Sequence, residues 1–159
     1  MSDRGNRSDS IIVVSINNST KDVKLLSIYR DTYVSINGKY SKINAAYSWG
    51  GPELAISTIN RNLDLNIEKY ATVNFKILAD IVDAVGGIEV KVDKSILKNL
   101  NAYIGDMNRI NGGHSPKLSS AGTYTLDGNQ AVAYSRIRYT AGGDLARAGR
   151  QREVLQKIF

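Results

Sequence analysis

The sequence contains no cysteine, which excludes disulfide staples and thiolate metal sites. Its single histidine, His114, lies in a Gly-Gly-His-Ser-Pro loop. A multi-histidine metal site is therefore impossible, and a His-based catalytic triad would rest entirely on that residue. No stretch is long and apolar enough to span a bilayer, and the start lacks a signal-peptide pattern. Neither absence locates a parent protein. Familiar catalytic signatures are missing too: there is no P-loop, no G-x-G-x-x-G, no H-E-x-x-H and no G-x-S-x-G. Internal repeats, linkers and low-complexity tracts are likewise not found.

What remains is the composition of an ordinary folded domain. A length of 159 residues suits one domain with a full core. With 42% hydrophobic and 23% charged residues, the chain falls in the soluble globular class. The formal net charge of +6 favours an anionic partner: nucleic acid, a membrane surface or a phosphorylated substrate.

Residues 1–9 are polar and are expected to form a flexible segment, with a single domain over 10–159. Ser10–Asn17 is β-branched and apolar, the pattern of a central strand covered on both faces. Val23–Arg30 forms a second strand and Tyr33–Ile36 its extension past a bulge, before an Asn37-Gly38 turn. If the first two strands pair as a hairpin, Arg7, Asp9, Arg30 and Asp31 share one sheet edge. Lys39–Gly51 reads as a loop, and Pro52 starts a helix to about Leu63. Tyr70–Asn74 suggests a short strand, and Asn74 an N-cap for a helix over Phe75–Val85 that Gly86-Gly87 ends. Ile88–Asp93 alternates as a half-wet strand does. Lys94–Thr125, rich in Asn, Gly and Ser, reads as a long loop. Asp127–Tyr134 and Arg147–Phe159 are expected helices. The mixture predicts an α/β fold: an α/β/α sandwich with a mixed central sheet and helices on both faces.

Five of the ten arginines fall between Ser135 and Glu153, namely Arg136, Arg138, Arg147, Arg150 and Arg152, without one lysine among them. A guanidinium fork binds phosphate or carboxylate oxygens in pairs, where lysine acts as a point charge. At ~100° per residue, Arg147 and Gln151 share the helix face of Val154, Leu155 and Ile158, while Arg150 and Arg152 flank it. A charge on an inward face needs a partner. Either a buried acid supplies it, or the residues line an anion-binding cleft at a helix N-terminus. The remaining candidates, Arg7, Asp9, Arg30, Asp31 and Asp144, stand at strand and helix ends. Together they suggest a polyphosphate site in which guanidiniums neutralise the anion and carboxylates hold Mg²⁺ against it. Lys42 is, by itself, a loop lysine.

The ordered set R-S-D-S-I-I-V-V-S-I-N, L-L-S-I-Y-R-D-T-Y-V, K-I-N-A-A-Y, G-G-P-E-L, V-D-A-V-G-G-I-E-V, L-D-G-N-Q-A-V-A-Y-S-R-I-R and G-D-L-A-R-A-G-R-Q-R resembles the LytR-CpsA-Psr family along almost the whole chain. The resemblance implies a phosphotransferase that moves a glycopolymer from an undecaprenyl-pyrophosphate carrier onto peptidoglycan. It also implies the extracytoplasmic face of a bacterial, mainly Gram-positive, membrane, with an anchor outside this chain. Asp9 would ligate Mg²⁺ or Mn²⁺. Arg7, Arg30, Arg136, Arg138 and Arg147 would hold the pyrophosphate, supported by Gln151 and Lys42. Asp144 would orient or deprotonate the acceptor hydroxyl, with Arg147 and Arg30 completing the catalytic group. The family's upstream strand and its G-x-D-x-R segment, source of a second metal carboxylate, are expected to lie outside this sequence. Residues lining a lipid pocket are not separable from core, although the helices at 52–63 and 75–85 are candidates. Two rivals remain, a nucleic-acid-binding regulator and a non-catalytic wall-polymer binder. The inward phase of Arg147 and Gln151 suits a cleft better than a groove-reading helix, so no specific nucleic-acid partner is expected.

Overall fold

The computed structural model describes residues 7–138 and 141–158. The first six residues of the expected flexible segment, and the Phe159 end of the last expected helix, lie outside them. The fold is α/β as expected, with five helices and three small antiparallel sheets among the described residues. Among the described residues the strands pair two by two. The chain divides into two compact units, Met1–Ala71 and Thr72–Phe159.

In the first unit, β1 (Ile11–Ile16) and β2 (Val23–Ile28) form a hairpin in which Ile11 faces Ile28 and Ile16 faces Val23. Asn17 builds its turn by accepting the backbone N–H groups of Ser19 and Thr20 on its side-chain oxygen, an Asx arrangement. The expectation of a doubly covered β1 is corrected here: Val14 is 41% exposed and Ile16 57%. An apolar run shows that a strand forms, but not how many faces are covered.

β3 (Tyr33–Ile36) and β4 (Lys39–Lys42) make a second hairpin, so Tyr33–Ile36 begins a new ladder instead of extending β2. Asn37 and Gly38 both take positive φ, 48° and 81°, as the tight two-residue turn between twisted strands requires. The free edge of β3 is satisfied by a side chain. Asn62 donates to Ser35 O at 2.9 Å and accepts from Ser35 N at 3.3 Å.

The expected loop 39–51 is thus part strand and part helix, because α1 (Ala45–Leu63) starts well before Pro52. Its two segments meet at a kink where Gly51 has φ 66° and ψ −162°, a conformation almost restricted to glycine. Pro52 therefore opens the second segment, where its missing N–H costs nothing. Ile28, Val34, Ile36, Ile43, Ala45, Ala46 and Ile59 form this unit's core.

The second unit is built around α4 (Gly128–Arg136), of which seven residues are buried. Such all-round burial marks a helix enclosed by its neighbours, here α2 (Phe75–Ala84), α3 (Lys94–Asn111), α5 (Gly143–Ile158) and strand β6 (Gly122–Leu126). A reciprocal capping box starts it: Asp127 accepts from Gln130 N at 2.9 Å and Gln130 accepts from Asp127 N at 3.0 Å. Asn74 caps α2 as the sequence suggested, accepting from Ile77 N at 2.8 Å. β5 (Ile88–Val92) buries alternate residues against β6.

Two further expectations fail. Tyr70–Asn74 is not a strand: Tyr70 and Val73 are exposed, and no ladder partner gathers them. Lys94–Thr125 is not a loop either, since α3 fills its first half and buries Ile96, Leu100, Ile104 and Met107 at helical spacing. The interspersed Asn and Gly residues hide that stripe in the composition. They do other work: Asn101 and Asn108 each bond both backbone groups of a residue in the following segment, Leu118 and Ser115.

Candidate functional site

The candidate residues form one group in each unit. In the first, the register of the β1–β2 hairpin does the positioning. Ile11 lies opposite Ile28, so continuing the two-residue alternation outward sets Asp9 across from Arg30. Their side chains meet, Arg30 Nη1 donating to Asp9 Oδ1 at 2.8 Å. Asp31 lies next in line, with Oδ2 at 3.8 Å from Arg30 Nε and Oδ1 at 2.9 Å from Lys42 Nζ.

Two backbone hydrogen bonds fix this corner: Ile43 N donates to Thr32 O, and Asn44 N to Arg30 O. The result is an alternating chain of charges, Asp9, Arg30, Asp31 and Lys42, along one edge. Arg30 is its anchored member, with a side chain 27% exposed against 66% for Asp9. Its buried Nε has no hydrogen-bond partner among the described residues. Arg7 is exposed, two residues before Asp9.

These oxygens can be tested against a divalent cation. Among the described residues no three His, Cys, Asp or Glu side chains converge as a metal cage. Asp9, largely exposed, still suits Mg²⁺, which keeps several waters and is completed by substrate phosphates when the protein offers one or two carboxylates.

In the second unit, the buried α4 carries Arg136 at its end. The Arg136 guanidinium lies over the rings of Phe75 and Tyr103, at 4.6 and 5.3 Å, and contacts Met107 Sδ at 3.5 Å. Those rings hold the cation without using its charge in an ion pair. Ile137 then turns the chain extended, with φ −58° and ψ 123°, and half-buried Arg138 follows.

α5 carries the rest. Arg147 is 7% exposed, and its Nη2 lies 3.2 Å from Asp144 Oδ1, one turn earlier. The inward phase read from the sequence is correct for Arg147 and Val154, and Gln151 is half-buried between them. Asp144, the ion-pair partner, is itself exposed, with 57% of its side chain accessible. Arg147 thus reaches outward from the buried face to an acid at the rim.

Arg150 and Arg152 are half-buried instead of flanking in solvent. Arg150 has a structural task, donating from Nη2 to Ile137 O at 2.6 Å. Beside it the Tyr134 hydroxyl donates to Glu153 Oε2 at 2.7 Å. Burial, and then the Glu153 carboxylate, push the Tyr134 phenol above its usual range. Burial also pulls the Arg150 guanidinium below its usual pKa, opposed by the charges of Tyr134 and Glu153. This network fastens α5 to the end of α4, and so sets Arg147 relative to Arg136 and Arg138.

Sequence reasoning missed Phe75, Tyr103, Tyr134 and Glu153, because each acts across a gap in sequence that no local pattern records. Elsewhere, a cavity of about 170 Å³ in the first unit is lined by Ser35, Asn37, Gly38, Ser57, Thr58, Arg61 and Asn62, with none of the candidate residues among them.

Each unit thus gathers basic side chains beside carboxylates or aromatic rings at its strand and helix ends. The sequence pattern of the LytR_cpsA_psr family matches residues 2–159. A polyisoprenyl-teichoic acid–peptidoglycan teichoic acid transferase, TagU of Bacillus cereus, is 38% identical over 160 residues, covering 99% of this chain and 47% of its own length. The crystal structure of B. subtilis TagT matches with a TM-score of 0.78 and 36% identity, over 98% of this chain and 60% of that one. A TagT structure with bound octaprenyl pyrophosphate lipid matches with a TM-score of 0.74 and 34% identity, over 96% and 58%. The chain belongs to the LytR_cpsA_psr family. It spans about half the length of the curated relatives it matches.

Proposed function

We propose that residues 10–159 act as a catalytic domain that transfers a glycopolymer from a polyprenyl-pyrophosphate carrier to peptidoglycan. The observation that carries this reading is the strand-end group Asp9–Arg30–Asp31–Lys42, in a chain 34% identical to a protein seen with octaprenyl pyrophosphate bound. In the reaction an acceptor hydroxyl oxygen attacks the sugar-proximal phosphorus. A new O–P bond forms, the bond to the bridging oxygen breaks, polyprenyl phosphate leaves and the hydroxyl proton is released.

Such a transfer needs little covalent chemistry from the protein and much positioning and charge neutralisation. Arg7, Arg30, Arg136, Arg138 and Arg147 would hold pyrophosphate oxygens, with Lys42 and Gln151 in support. Asp144 would orient the acceptor hydroxyl and receive its proton. Asp9 would hold Mg²⁺, which when bound would offset the negative charge of the phosphates. Among the described residues no helix is long and apolar enough to cross a membrane. The reading assigns the domain to the extracytoplasmic face of the cell membrane, tethered by a segment outside this chain.

The test is a single-turnover assay with labelled lipid-linked polymer and peptidoglycan, with and without chelator. Label appearing in the peptidoglycan, and lost in Arg147→Ala, supports the reading. Tight binding of the lipid-linked polymer without turnover would instead make the chain a wall-polymer binding module.

A further inference from the structure

Tyr33 and Tyr40 are the most exposed large apolar side chains among the described residues, at 70% and 69%. Their rings stack with centroids 5.9 Å apart and planes at 25°. Register explains the meeting: Tyr33 lies opposite Lys42 and Tyr40 opposite Ser35. Strand alternation therefore collects Tyr33, Ser35, Tyr40 and Lys42 on one face of the β3–β4 hairpin, while Val34 and Ile36 go to the core. The hairpin does not need the pair for its fold. The Asn37-Gly38 turn, the buried Val34 and Ile36, and the clasp of Asn62 on Ser35 already hold it.

This aromatic face continues into the charged edge. Lys42, directly across from Tyr33, ion-pairs with Asp31, which in turn approaches Arg30. A small flat apolar surface rimmed by a cation, a carboxylate and a hydroxyl does not suit a lipid chain, which needs an enclosed apolar cavity. It suits a pyranose ring, which presents a face of C–H groups and a rim of hydroxyls. Directly opposed strand residues are about 5 Å apart, roughly one sugar ring from a phosphate held at Lys42 and Arg30.

We propose that the stacked Tyr33–Tyr40 face holds the sugar ring adjacent to the pyrophosphate of the carried glycopolymer. This rests on the transferase reading and assigns the face to the donor glycan. The platform shares its unit and its edge with Arg30, Lys42 and Asp9, the residues assigned to the donor pyrophosphate and its metal.

The experiment compares bare polyprenyl pyrophosphate with the same lipid carrying a disaccharide. The proteins are the wild-type chain, the double variant Tyr33→Ala/Tyr40→Ala and the ring-preserving Tyr33→Phe/Tyr40→Phe, each checked for folding by thermal melts. The wild type is expected to prefer the glycosylated lipid by about 5- to 10-fold, the scale of one good aromatic contact. The alanine pair should lose that preference while binding bare lipid pyrophosphate unchanged, and the phenylalanine pair should keep most of it.

A preference that persists in the folded alanine pair overturns the proposal, as does a loss confined to peptidoglycan oligosaccharides, which would give the face to the acceptor. If bare lipid pyrophosphate binds none of the proteins, the transferase reading falls separately. The platform is then judged on a soluble disaccharide 1-phosphate, where equal binding by wild type and alanine pair overturns it.

Discussion

Arg147 and Arg150 are one turn of helix apart yet do different work. Arg147 is buried, with its Nη2 beside the rim acid Asp144, and is proposed to bind the ligand. Arg150 bonds a backbone carbonyl of its own unit. Arg147→Ala should abolish transfer and weaken lipid-pyrophosphate binding by roughly 2–5 kcal/mol, the cost of truncating one member of a buried charge pair. Arg147→Lys should recover only part of it, because the two-pronged fork is gone. Arg150→Ala should show itself first as lost stability, about 1–3 kcal/mol in a denaturant melt, the range for a hydrogen bond to a charged group. Folded Arg150→Ala with intact stability and no lipid binding would reverse the two roles. Helix phase made Arg147 legible in the sequence, since burial follows periodicity. The partner of Arg150 is a carbonyl 13 residues away, and no periodicity announces it. If Asp9 holds Mg²⁺ as proposed, Asp9→Asn should raise the Mg²⁺ concentration needed for half-maximal transfer about tenfold or more, because a ligand charge would be lost while the waters remain. Titration of activity against free Mg²⁺ reads this directly, and an unchanged midpoint would remove Asp9 from the metal.

The elements that carry these residues depend on two close approaches. Helix α4 passes α2 at Gly128, where an added Cβ would come within 2.2 Å of Ala79 O. Gly128 N also donates to Asp83 Oδ1 at 2.7 Å. Gly128→Ala must push the two helices apart, and should cost about 2–4 kcal/mol in thermal melts, as overpacking of a core does. A near-neutral result would show that α4 can slide, and that Arg136 is less rigidly aimed than its rings suggest. The α4–α5 fastening gives a pH signature. Tyr134 is held protonated by burial and by Glu153, so the folded state binds that proton more tightly than the unfolded chain does. Stability from it is present below the ordinary tyrosine value of ~10 and falls as pH rises beyond it. Tyr134→Phe should be about 1–2 kcal/mol less stable at neutral pH, yet lose less stability between neutral and strongly alkaline conditions. Melting temperatures across that range would show it, and parallel curves would refute it. The helix α3 shows where element reading fails. Its stripe of Ile96, Leu100, Ile104 and Met107 was present in the sequence, but Asn-rich composition outweighed periodicity. The kink at Gly51 failed for a different reason. Two helical segments joined by one strained glycine look like a loop followed by a helix.

For the molecule as a whole, the sequence carried the α/β class, the hairpin edge joining Asp9 to Arg30, and the ordered motifs that mark the family. It did not carry strand pairing, which depends on contacts between distant segments. A net charge of +6 leaves open which polyanion that family scaffold prefers, and here physics separates the outcomes. A protein that binds by surface charge alone releases counterions, so its affinity falls steeply with salt whatever the sequence of the nucleic acid. A pyrophosphate held by buried guanidiniums such as Arg147, 7% exposed, loses less to screening, because buried charges are shielded from the ionic atmosphere. Binding measured from low to physiological salt should therefore diverge. DNA affinity should drop by about tenfold or more and show no preference among sequences, while polyprenyl pyrophosphate binding remains saturable and changes by only a few-fold. Arg152→Ala, on a half-buried flank of α5, should alter the lipid affinity by less than about 1 kcal/mol. Sequence-selective DNA binding that survives physiological salt, together with no saturable lipid binding, would make the arginine cluster a nucleic-acid surface and end the transferase reading.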